Sequence, residues 1–89
     1  MRKKEGLVLR DICGDKAVVA EGLKVIDFRK MITMNDTAAW LWEKCTELGD
    51  FTAEQLAEAL SQEYQVEASK ALADTNRILD KWKKLGLIL

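Results

Sequence analysis

With no histidine in the chain, any acid–base chemistry or metal ligation falls to two cysteines, fifteen carboxylates and fourteen basic side chains. Cys13 and Cys45 lie far apart in sequence. Alone they cannot complete a tetrahedral zinc site. A nucleophilic cysteine needs a neighbouring base to lower its pKa, and neither has one close in sequence. Both sit in apolar patterns, where a free cysteine packs as a small hydrophobe, so two buried thiols are expected. Glu54 and Glu58 stand one helical turn apart, a spacing that could pair an acid with a base but that equally marks a solvated helix face. The five glycines are scattered, so no glycine-rich phosphate loop forms. These residues predict no enzyme activity, no metal and no cofactor.

The elements that would position any site divide the chain into a strand-rich first third and a helical remainder. "LVLRDIC" (Leu7 to Cys13) and "KAVVAE" (Lys16 to Glu21) are short apolar runs separated by Gly14-Asp15, a hairpin signal. Gly22 and Leu23 turn into a third extended run, "KVIDFRKMITM". Alternation there puts Ile26, Phe28, Ile32 and Met34 on one face, broken by Lys30, with Asp27, Arg29 and Thr33 on the other beside Val25 and Met31. Its charges suit an edge strand, since they discourage indiscriminate pairing.

Asn35 or Asp36 should cap a first helix whose apolar positions are Ala38, Leu41, Trp42, Cys45 and Leu48, ended by Gly49. Trp40 falls outside that stripe and is expected against the sheet or the carboxy-terminal segment. Thr52 and Gln55 make a capping box for a second helix with Phe51 stapled onto Leu56. Leu56, Ala57, Leu60 and Tyr64 form its buried face. The third helix should run from about Ala68 to Leu85, with Ala68, Ala71, Leu72, Thr75, Ile78, Leu79, Trp82 and Leu85 as its apolar stripe. The closing "LIL" could add a short strand or cover the core. The order β-β-β-α-α-α predicts one α+β domain over residues 1–89, a three-stranded antiparallel sheet followed by three helices.

Eighty-nine residues, 48% apolar and 33% charged, fit one folded domain with a modest core. No apolar run approaches the roughly 20 residues that span a bilayer. The basic start "MRKKEGLVLR" lacks a signal-peptide core and cleavage site; a cytoplasmic protein without a membrane partner is expected. A net charge of −1 argues against nucleic acid, whose phosphates demand a dominant positive field.

Recognition remains. Lys70, Asp74, Arg77, Lys81 and Lys84 recur about one turn apart along one flank of the third helix. Such a row is ordinarily a solvated face. Placed beside an open strand edge, it would instead form a groove for an extended peptide, with main-chain bonds giving affinity and pockets giving selectivity.

"MITMNDTAAWLWE" (Met31 to Glu43) resembles a segment of the pyrroloquinoline-quinone biosynthesis protein D (PqqD) family, in which a short strand ending in Asn leads into a helix with small residues and a Trp. "FTAEQLAEALSQEYQV" is similar to that family's second helix, and "LDKWKKLGLIL" to its closing helix. The resemblance covers nearly the whole chain and rests on motif order and spacing. It implies a winged-helix-like domain that acts as a chaperone-like recognition element for the leader of a ribosomally made precursor peptide. The leader would add as a strand and be presented to a modifying enzyme such as a radical SAM protein. Carried over, the contacts fall on Arg29, Lys30, Met31, Ile32 and Thr33, and on Lys70, Asp74, Arg77, Ile78 and Lys81. Family members also serve clusters whose product is not a quinone. A winged-helix DNA-binding protein and a module that dimerises through its third strand are the alternatives.

Overall fold

The computed structural model describes residues 1–12, 14–20 and 32–89. Cys13 and most of the expected third strand, including Arg29, Lys30 and Met31, lie outside the described residues.

Strands β1 (Leu7–Ile12) and β2 (Asp15–Ala20) pair antiparallel from Leu7↔Ala20 to Ile12↔Asp15, which leaves a two-residue connection. Gly14 takes φ +88° in that turn, a conformation open to glycine and costly for a side chain with a Cβ. Strand β3 (Ile32–Met34) pairs antiparallel with β2 through Lys16↔Met34 and Val18↔Ile32, giving the sheet order β1-β2-β3. The expected alternation appears in β3: Met34 is buried, Thr33 exposed and Ile32 half-buried.

No spacer separates β3 from helix α1 (Asp36–Leu48), because Asn35 is itself the cap. Its Oδ1 accepts the Ala38 N–H at 2.8 Å, which satisfies an amide that the helix cannot. Gly49 closes the helix by donating its N–H to the Cys45 carbonyl. Helix α2 (Ala53–Tyr64) starts on the predicted capping box: the Gln55 N–H donates to Thr52 Oγ1 at 3.1 Å and the Thr52 N–H to Gln55 Oε1 at 2.9 Å. Helix α3 (Ala68–Lys84) buries Ala71, Thr75, Leu79 and Trp82. A three-stranded antiparallel sheet followed by three helices is thus the architecture, as expected.

The core gathers Val18, Met34, Leu41, Trp42, Cys45, Phe51, Leu56, Leu60, Leu79 and Trp82. Trp42 and Trp82 meet edge to face, with centroids 5.4 Å apart. Four residues expected to be buried are not: Ala68, Leu48, Tyr64 and Leu85 are all exposed. Each lies in a terminal turn or cap, where the apolar stripe outruns the neighbour it packs on. Trp40, outside the α1 stripe, packs partly against the core. It is half-buried edge-on to Tyr64, centroids 5.7 Å apart, with the Lys44 ammonium over its ring.

The amino-terminal residues do more than carry charge. Met1 and Phe51 exchange main-chain bonds of 2.7 and 2.8 Å. The Lys4 N–H donates to the Leu87 carbonyl at 2.9 Å, and the Leu89 N–H to the Arg2 carbonyl at 2.8 Å. The closing "LIL" therefore pairs with the first residues through a single bridge, Lys3↔Ile88, and buries Leu87 and Ile88.

Candidate functional site

Among the described residues, β3 has β2 on one side and no strand on the other. A strand so placed presents unpaired amides and carbonyls, a template for a further chain. Ile32 and Thr33 sit on that edge, and Ile32 leans on the core.

Helical spacing brings Lys70, Asp74, Arg77, Ile78 and Lys81 onto one flank of α3. Lys70, Arg77 and Lys81 are exposed, whereas Asp74 and Ile78 are half-buried. The Arg77 guanidinium donates to Asp74 within its own helix. Arg77 therefore already has a partner, though an exposed pair of this kind contributes at most about 1 kcal/mol and exchanges readily. Ile78 packs on the same core as Ile32. Leu72 marks the opposite flank, where it faces α2 across a groove with Ala57. Among the described residues no side-chain hydrogen bond or ion pair ties β3 to the Ile78 flank.

The remaining chemistry is quiet. Cys45 is free and fully buried, and burial pushes its thiol up to about 12, against the opposing pull of the Lys3 ammonium. The thiol stays protonated near neutrality and is no nucleophile. Glu54 and Glu58 are exposed on α2, as their spacing implied. Among the described residues no three His, Cys, Asp or Glu side chains are grouped to hold a metal, and no helix is long and apolar enough to cross a membrane.

Periodicity could not reveal the Trp40–Tyr64–Lys44 cluster, which depends on how α1 and α2 cross. The α3 stripe put Thr75 on the buried face, but periodicity says nothing of its hydroxyl, which finds no hydrogen-bond partner among the described residues.

Residues 22–88 match the family model described as "Coenzyme PQQ synthesis protein D (PqqD)". A comparison with curated proteins finds no match. Among solved structures, the chain is similar to one described as "TbiB1 in Complex with the TbiA(beta) Leader Peptide". The two share 15% identity over 98% of this chain and 93% of that one, at a TM-score of 0.71. At that identity the likeness is one of fold.

Proposed function

We propose, from the premise that the chain belongs to the family of coenzyme PQQ synthesis protein D, that it is a non-catalytic adaptor for a ribosomally made precursor peptide. It binds the leader by strand addition and presents it to a modifying enzyme, such as a radical SAM protein, in the cytoplasm. The observation that carries this reading is the one-sided pairing of β3 among the described residues. The structural neighbour, whose description names a bound leader peptide, supports it.

In this reading the leader backbone pairs along Arg29 to Thr33, and its side chains meet Lys70, Asp74, Arg77, Ile78 and Lys81. Micromolar to nanomolar affinity requires about 8 to 12 kcal/mol. A few main-chain bonds at roughly 1 kcal/mol each fall short of that. One or two buried leader side chains, each contributing about 1.5 to 3 kcal/mol, must supply the difference. An acidic leader residue would replace Asp74 on Arg77, and Lys70 and Lys81 reinforce that preference.

The test is titration calorimetry with the leader of a precursor encoded beside the gene. Arg77→Glu should weaken binding about tenfold or more, because it reverses a charge worth about 1.4 kcal/mol or more in a partly desolvated contact. Ile78 leans on the core, so Ile78→Ala is a safer partner variant than an acidic one, and thermal melts run alongside separate binding from folding. Affinity unchanged in both variants would eliminate this flank; absent backbone NMR shifts at Ile32 to Met34 would eliminate the strand.

A further inference from the structure

Charge is segregated between two helices. Helix α2 carries Glu54, Glu58 and Glu63 and no Lys or Arg, whereas the last turn of α3 carries Lys81, Lys83 and Lys84. A groove of about 280 Å³ runs between α2 and the start of α3, with Ala57, Ala68 and Leu72 as its apolar lining and Glu54, Glu58 and Gln62 on its rim. Among the described residues neither Glu54 nor Glu58 forms an ion pair, and neither do Lys81, Lys83 and Lys84. Directly after those lysines, Leu85 is 46% exposed. One end of the face is acidic with an apolar recess. The other is basic with an uncovered leucine.

We propose that this face binds a second copy of the chain. Spacings of four, four and seven residues place Ala68, Leu72, Asn76 and Lys83 along one side of α3. Leu72 and Lys83 are therefore about 16 Å apart along the axis at 1.5 Å per residue. Two α3 helices laid antiparallel about a two-fold axis near Asn76 bring the basic end of each over the acidic groove of the other. Both contacts form at once and the assembly closes as a dimer, because the patch is self-complementary. Its small extent places it with weak, transient interfaces, below about 1,200 Å² in total. Its charge makes it salt-sensitive. The inference is independent of the adaptor reading: Leu72, Asn76 and Lys83 lie on the side of α3 away from Ile78, whereas Lys81 belongs to the Ile78 flank and takes no part.

Sedimentation velocity of the full chain over a concentration series tests it. The average mass should rise toward that of a dimer in low salt, and association should weaken about tenfold or more at about 0.5 M salt, where screening is nearly complete. Glu58→Lys with Gln62→Lys should give a monomer, as should Lys83→Glu with Lys84→Glu. These positions are exposed, and circular dichroism verifies that each variant folds. An equal mixture of the two should associate again, since one contact forms with reversed sign and the other is kept as in the wild-type chain. A wild-type chain that stays monomeric at its solubility limit overturns the proposal. So does a charge variant that still self-associates, as pairing through the β3 edge would produce, or a mixture that does not.

Discussion

Thr75→Val should stabilise the protein. Thr75 lies in the middle of α3, fully buried, and its Oγ1 makes no hydrogen bond among the described residues. A helical threonine usually returns its hydroxyl to a carbonyl one turn back; here that bond is not made. Burying an unpaired hydroxyl costs about 1 to 3 kcal/mol in proteins. Valine keeps the branched shape and has a similar helix propensity, so the substitution removes the penalty and little else. A gain of about 1 to 2 kcal/mol is expected, and each kcal/mol raises Tm by about 4 to 8 °C at this chain length. Thr75→Ala is the control, since it also deletes a buried methyl worth about 0.8 kcal/mol and leaves a void; it should fall below Val. Urea denaturation followed by far-ultraviolet circular dichroism measures both. A lower midpoint for Thr75→Val at unchanged m-value would refute the reasoning, because it would mean that the hydroxyl has a partner that matters.

Two further outcomes follow from charge and burial. Cys45 should resist thiol reagents at neutral pH until the protein unfolds, because burial raises its pKa to about 12; peptide mapping that shows labelling at a free-thiol rate would contradict this. Asp50 should titrate below the usual aspartate range, because Arg2 donates to it at 2.9 and 3.0 Å and attracts its charge. A depressed folded pKa contributes stability above the unfolded value and loses it as pH falls through the folded one. At this exposed pair the effect is small, so carboxyl NMR is the assay. Arg2→Ala should return Asp50 to the ordinary range.

The parts of the fold that were legible are those whose signals are local. The hairpin at Gly14, shifted by one residue because Asp15 already belongs to β2, the Asn35 cap and the Thr52–Gln55 capping box each depend on groups within four residues, so residue type alone reveals them. The α3 stripe was readable at its centre, where Ala71, Thr75, Leu79 and Trp82 all face the core. It misled at its ends, because periodicity does not tell where the opposing surface stops. The pairing of Arg2 and Lys3 with Asp50 and Ile88 left no trace in the pattern. Isolated bridges have no period, and the basic run Arg2 to Lys4 looks the same whether free or paired. Helical spacing groups Lys70, Asp74, Arg77, Ile78 and Lys81 on one flank of α3, but it could not show that Asp74 already holds Arg77. The charges of the third run suited an edge, and among the described residues Ile32 and Thr33 have β2 on one side and no strand on the other.

The perpendicular indoles of Trp42 and Trp82 join α1 to α3, and they make the molecule its own optical gauge. Two transition dipoles held that close couple, and they yield a near-ultraviolet dichroic band only while the two helices stay docked. Trp40, half-buried beside Tyr64, reports on a different seam. Loss of the coupled band with Trp40 emission unchanged would therefore reveal α3 lifting away on its own, without any attached dye.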